Sequence, residues 1–331
     1  MQQRDAVLDI LKGFGIIFVL VGHSLGGIVH NFIYSFHIPL FFLVSGYLYK
    51  QRPFKEQVKK DWSRLMIPFF FVEICITIGA LLLEPLGNPH IIQPAKALEM
   101  LFYGNGGAEN HHKIWGNFAG VGSVWFLPAL FWGKMVTNLL SKYSLRTMLV
   151  LSFLICVIAV VVGHYLVLPF CFFQGLTSVV FICIGYYASR SNYVSVNKGK
   201  KEKILWSVLF AFWFCVAFFP VFDMYQMRWK LYVIPNIIAA ITGTYFFYLL
   251  SKWIELHFDI LSRFLQFMGR YSLVIMCFAP IKYYLFPIED IVPFTGVIHL
   301  CGVFMVKILW IVVTIILVQK TTFLRRLFKL A

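Results

Sequence analysis

The sequence predicts an all-α polytopic integral membrane protein, with about ten transmembrane helices and both termini in the cytoplasm. Three observations carry this. The 331 residues are 60% hydrophobic and 18% aromatic, with a mean hydropathy of +0.80. Apolar runs repeatedly reach the ~18 residues that suffice to cross a hydrocarbon core. Basic residues crowd every second loop. The runs show no alternation of polar and apolar residues, so they read as helices rather than barrel strands, the two structures that satisfy every backbone group in lipid.

In chain order the predicted spans are 8–26, 33–50, 64–83, 123–140, 146–164, 168–188, 204–222, 231–250, 264–286 and 297–318. The first is expected to stay in the mature chain: Arg4 and Lys12 are its only flanking cations, and it lacks a small-x-small cleavage site. One set of loops carries Arg4; Arg52, Lys55, Lys59, Lys60 and Arg64; Lys142 and Arg146; Arg190, Lys198, Lys200, Lys201 and Lys203; Lys252 and Arg263; and Lys320, Arg325, Arg326 and Lys329. The alternate loops hold Lys96, Lys113, Arg228 and Lys230. Nineteen against four places both termini inside by the positive-inside rule. The same distribution accounts for the net charge of +15 through contact with anionic membrane lipids, so a nucleic-acid partner is not expected.

The spans leave room for one membrane-embedded domain over 1–331, and no soluble domain is expected. Its longest outer loop, about 84–122, is rich in Gly, Asn and His, including Gly104-Asn105-Gly106-Gly107 and Asn110-His111-His112. That composition suits an irregular surface able to meet a ligand, or a solvated connector. Adjacent histidines rarely converge on one ion, so no metal is expected there. The seven cysteines show neither CxxC nor Cys/His pairing, which argues against a disulfide framework and a zinc site.

Ionisable groups inside the spans mark the candidate site, because burying them in lipid is costly unless they face a polar interior. Asp9 and Lys12 lie near the inner end of the first span and His23 near its outer end; His37 opens the second. Eleven residues separate Lys12 from His23, roughly 16 Å along a helix. That is comparable to an extended pantetheine arm. A cation at the inner mouth could hold acyl-CoA phosphates while the thioester reaches the imidazole, which would take the proton of an attacking sugar hydroxyl. The bland alternatives are a Lys12 side chain snorkelling to the interface and histidines bonded between helices. Asp9 is placed to pair with Lys12 on the same helical face, or to serve as a helix-end charge. Glu73, in the third span, is a weaker candidate for an interior polar partner.

Leu8-Asp9-Ile10-Leu11-Lys12-Gly13, Val21-Gly22-His23-Ser24 and Phe36-His37-Ile38-Pro39-Leu40-Phe41-Phe42-Leu43-Val44-Ser45-Gly46-Tyr47 resemble the acyltransferase-3 family, and within it the fucose 4-O-acetylase-like branch. Lys59-Lys60 to Arg64 before Pro68, Val124-Trp125-Phe126-Leu127-Pro128, and Gly269, Ser272 and Leu273 extend the resemblance over the whole chain. It implies an O-acyltransferase of the bacterial inner membrane, taking an acyl group, usually acetyl from acetyl-CoA, and passing it to a hydroxyl of a surface polysaccharide or lipid-linked glycan. The family's Arg-x10-His pattern falls on Lys12 and His23: the charge is kept and the bidentate fork of arginine is given up.

The resemblance assigns catalysis to His23, as general base or as a transient carrier of the acyl group, with His37 beside it; donor binding is expected of Lys12 and Arg64, and acceptor contacts of Asp9, Ser45, Trp125, Phe126 and Ser272. Trp125 and Phe126 also fit ordinary helix packing. Ala279 stands where the branch often has a histidine. That departure keeps open a catalytically inactive relative, beside the other alternative, a transporter or flippase for a glycan or acyl-lipid. The acceptor sugar and the oligomeric state are not readable from the sequence.

Overall fold

The computed structural model describes residues 5–105, 118–191, 199–219, 223–229, 233–287 and 296–329. In chain order its helices are α1 (Ala6–Gly22), α2 (Gly27–Tyr34), α3 (His37–Tyr47), α4 (Phe54–Asp61), α5 (Ile67–Leu83), α6 (Pro94–Tyr103), α7 (Phe126–Leu140), α8 (Leu145–Tyr165), α9 (Phe172–Arg190), α10 (Lys200–Val216), α11 (Val233–His257), α12 (Asp259–Arg270), α13 (Ser272–Leu285), α14 (Gly296–Lys320) and α15 (Thr322–Leu327). Among the described residues the only extended pairings are isolated bridges, Asn105 to Gly120 and Asp223 to Arg228. The protein is an all-α polytopic membrane protein.

Each of the ten predicted stretches contains helix, and among the described residues six helical segments are long and apolar enough to cross a membrane, or seven if the bent α12–α13 pair is one span. The difference from ten comes from helix breaks inside the apolar runs. α1 stops at Gly22 after 17 residues, α7 has 15 and α10 has 17. Conversely, α4, a one-turn π-helix over Trp62–Met66 and α5 continue as one 33-residue stretch, Phe54–Leu86. Pro68 explains the π turn. It has no N–H to offer the carbonyl of Arg64, four residues earlier, and a bulge of this kind absorbs the missing bond.

The chain forms two compact units. The first comprises Met1–Arg52, Gly133–Val161 and Leu176–Ser272; the second comprises Pro53–Trp132, Val162–Gly175 and Leu273–Ala331. In lipid the hydrophobic effect does not drive one apolar helix onto another, so close contact and internal hydrogen bonds must. The first unit shows both. A Cβ on Gly46 would lie 2.0 Å from the Ile182 carbonyl oxygen, and one on Gly185 would lie 2.1 Å from that of Leu43, so α3 and α9 touch backbone to backbone. A core of Leu8, Leu11, Phe36, Leu40, Val44, Trp213 and Phe247 joins α1, α3, α10 and α11. Within it, Trp213 donates its indole N–H to Ser35 Oγ at 3.0 Å, which satisfies the one polar atom of a fully buried ring.

In the second unit, α5 and α6 are joined where Thr77 donates to the Ala97 carbonyl at 3.3 Å. α13 contains Pro280, which leaves the Met276 carbonyl without its helical donor. Ser123 supplies a replacement, its hydroxyl donating to that oxygen at 2.8 Å.

Candidate functional site

The first unit carries two clusters, one at each end of α1. At the Lys12 end, Asp5 caps α1 by accepting from the Leu8 amide at 3.2 Å. Asp9 and Lys12, three residues apart and so on one face, meet at 2.5 Å. A third member comes from far along the chain: Arg270 Nε stands 3.7 Å from the other oxygen of Asp9. That oxygen has no hydrogen bond among the described residues, so Arg270 holds it by charge alone. Two cations therefore flank one buried carboxylate.

Glycine makes this approach possible. A Cβ on Gly13 would lie 2.1 Å from the Leu265 carbonyl oxygen, and one on Gly269 would lie 1.9 Å from that of Asp9. Hence α1 and α12 lie backbone against backbone. Ser272 sits just past α12, donating to the Gly269 carbonyl at 2.9 Å where α12 and α13 bend by 62°. It belongs to the Lys12 end, away from His23.

At the other end, His23 is the residue on which α1 closes, and it is exposed. Its Nδ1 lies 3.5 Å from the hydroxyl of Tyr34 on α2. Tyr34 also stacks on His30, with ring centroids 3.7 Å apart, and faces His37 at 4.7 Å. Three imidazoles surround one phenol. His37 Nδ1 lies 2.8 Å from the Ile33 carbonyl and His30 Nδ1 lies 3.1 Å from that of Gly22. Because a carbonyl only accepts, these Nδ1 atoms carry the protons, and each ring presents Nε2 as its basic nitrogen. His37 is buried, His30 half-buried and His23 exposed, a gradient from core to surface.

His30 and Tyr34 are absent from the sequence-based expectations, yet a signal was there. His23, His30 and His37 recur every seven residues, two helical turns apart, with Tyr34 one turn beyond His30. Asp223 adds an acid to this end. It sits on a tight turn after α10, where its Oδ1 accepts from the Tyr225 and Gln226 amides at 2.9 and 3.2 Å. Asn31 ties α2 to the turn that follows α10 by donating to the Phe218 carbonyl at 3.0 Å. Burial raises the Asp223 carboxyl above its usual range, against the pull of those amides and of the Arg228 and His30 charges.

Ser45 shares α3 with His37 but lies eight residues along it, about 12 Å away. Arg64, Trp125 and Phe126 belong to the second unit. Arg64 is exposed on the π turn, next to Ser63, whose hydroxyl pairs with the Lys329 amine. Desolvation first, and then the Arg64 charge, lower the pKa of Lys329 below the usual lysine value. Trp125 and Phe126 are both buried, with ring centroids 6.4 Å apart, as packed aromatic side chains. Glu73 is fully buried on α5, and neither carboxylate oxygen has a hydrogen bond among the described residues. The His111-His112 pair lies outside the described residues.

A family model described as an acyltransferase domain, of the acyltransferase-3 family, matches residues 5–318. Among curated proteins, nodulation protein NolL of Sinorhizobium fredii (strain NBRC 101917 / NGR234) is 26% identical over 228 residues, covering 64% of this chain. The matched region is 56% of that protein's length, so the chain spans little more than half of it. No solved structure matches. The family match begins at the residue that caps α1, takes in both clusters on that helix, and continues through nearly all of α14: the chain belongs to the acyltransferase-3 family.

Proposed function

We propose that the protein is a membrane O-acyltransferase. In this reading it moves an acyl group, acetyl first, from cytoplasmic acyl-CoA to a hydroxyl of a surface polysaccharide or lipid-linked glycan, as the fucose 4-O-acetylase-like branch would. One observation carries the reading: a single helix holds Lys12, paired with Asp9 and close to Arg270, at one end and an imidazole cluster at the other. Lys12 and Arg270 attract the donor's phosphates, and the roughly 16 Å to His23 matches the reach of the pantetheine arm.

At the far end, His23 removes the proton of the acceptor hydroxyl as its oxygen attacks the thioester carbonyl. A carbon–oxygen bond forms and the carbon–sulfur bond breaks. The imidazolium then returns the proton to the departing thiolate, leaving an ester and free CoA. Tyr34 holds the His23 ring, while His37 and His30 pack on the same phenol with Nε2 as their basic nitrogen. The topology that goes with this reading puts the Lys12 end at the cytoplasmic face of a bacterial inner membrane, where the basic loops lie.

Purified protein given labelled acetyl-CoA and a panel of surface glycans tests the reading. Transfer of label to one glycan class is the expected result, and absence of transfer to any sugar, lipid-linked or free, would overturn it. The bent α12–α13 pair supports the second reading, a transporter, because broken helices at polar sites are the mark of alternating access. Glycan movement across vesicles in the absence of any acyl donor would decide for it.

A further inference from the structure

The first unit also holds a partly open cavity of about 280 Å³, whose lining includes none of Asp9, Lys12 or the three imidazoles. Leu8 and Leu11 of α1 and Leu43 and Val44 of α3 line one side of it. The other side is an aromatic wall: Trp206 of α10 meets Tyr245 of α11 at 4.1 Å between ring centroids, and Tyr245 stacks with Tyr248 at 6.1 Å. The hydroxyl of Thr244, also in the lining, is already committed to the Ala240 carbonyl at 2.8 Å. A sugar or a nucleotide would find little to bond here, and the amides of a pantetheine would lose their partners. An aliphatic chain loses nothing.

Charge is arranged at one side of this space. α9 leaves the lining at Ala188 and ends at Arg190, whose guanidinium lies over the Tyr186 ring at 5.2 Å. α10 enters the lining at Trp206, one turn after the exposed Lys203 and just beyond Lys200 and Lys201. α3 ends in the lining at Tyr47, and the exposed Lys50 follows three residues later. Acids are present but outnumbered: Asp5 and Glu255 act on Tyr248 of the lining, and Glu202 is the one acid among the lysines that open α10, against Lys50, Arg190, Lys200, Lys201 and Lys203. Tyrosine and tryptophan beside lysine and arginine are the residues that mark the headgroup level of a bilayer.

We infer that this cavity is a lipid site, holding the acyl chain of a phosphate-headed lipid whose headgroup rests on Arg190 and Lys203. The inference stands apart from the acyl-transfer reading, and its test needs no turnover. Purified protein in nanodiscs is irradiated with phosphatidylglycerol carrying a diazirine in its acyl chain, and the labelled peptides are mapped. Labelling is expected on Tyr245, Tyr248 and Trp206 in preference to the exposed lipid-facing residues Ile204, Leu205 and Val208. It should saturate and yield to excess unlabelled phosphatidylglycerol.

Ala188→Phe, which fills the lining from its half-buried edge, should abolish the preference while the protein still elutes as a single species. Arg190→Glu with Lys203→Glu should weaken labelling by phosphatidylglycerol roughly fivefold per charge, and labelling by phosphatidylcholine much less. Even labelling of the outer helix faces, or unchanged cavity labelling in Ala188→Phe, would overturn the site. Competition by acetyl-CoA would reassign the cavity to the donor and overturn the lipid assignment; competition by lipid alone would uphold it.

Discussion

The two ends of α1 are built on opposite plans. At the Lys12 end the main chains set the geometry: glycines at 13 and 269 press α1 against α12, and Asp9 is held between Lys12 at 2.5 Å and Arg270 at 3.7 Å. At the His23 end no helix is pressed so close. Rings stack on rings, two imidazoles lean on backbone carbonyls, and the outermost histidine is exposed. A charge site built on a buried carboxylate and closely packed main chains suits a ligand group whose position must be fixed. An adaptable, half-open ring cluster suits chemistry on an acceptor that has to arrive and leave.

The sharpest way to break this contrast is to remove the outer imidazole. His23→Ala should lower acyl transfer by about 10²–10⁴-fold, the usual contribution of a general base, while folding and donor binding stay intact because the residue is exposed at a helix end. Near wild-type turnover in labelled acetyl-CoA assays would rule out the assignment. Next comes the inner end. Gly269→Ala puts a methyl group 1.9 Å from the Asp9 carbonyl oxygen. Overpacking of this kind costs about 1–3 kcal/mol, so thermal unfolding in detergent should begin several degrees lower. An unchanged melting curve would mean the two helices are not in backbone contact.

Lys12→Ala should leave the ring cluster as it is and act on the donor. KM for acetyl-CoA is expected to rise about tenfold, the loss of one charge-assisted hydrogen bond of about 1.5 kcal/mol, with kcat little changed. A fall in kcat alone would move Lys12 out of donor binding. The smallest effect is expected from Tyr34→Phe, which keeps the stacked ring and removes only the hydroxyl at 3.5 Å from His23. Loss of so long a contact should cost no more than about fivefold in kcat/KM. A hundredfold loss would promote Tyr34 from a positioning group to a participant.

The sequence shows the part of this arrangement that lies along one helix. Spacing alone links Asp9 to Lys12 and sets the distance to His23, because both follow from the rise of an α-helix. Arg270 escapes that reasoning: it reaches Asp9 only because Gly13 and Gly269 let two helices meet, and no linear period connects positions 9 and 270. His30 and Tyr34 lie beyond the break at 24–26, where α1 stops and α2 starts. The seven-residue recurrence of the histidines was visible there, but an apolar run gives no sign of where its helix is interrupted. The same blindness separates the ten predicted stretches from the six or seven helical segments long and apolar enough to cross a membrane among the described residues. The π turn that carries Arg64 is likewise not read from the sequence, although Pro68 stands four residues after that arginine.

The glycine contact between α1 and α12 also bears on how this protein can change over evolutionary time. Because main chains rather than side chains set the separation, the outward face of α12, with Ile260, Phe264 and Phe267 exposed, has no part in holding Asp9 and Arg270 together. Those positions can drift with the lipid they meet while the charged pair stays in register. Variation should therefore be dense on one side of α12 and nearly silent at two glycines, a pattern of tolerance in which the smallest residues are the least replaceable.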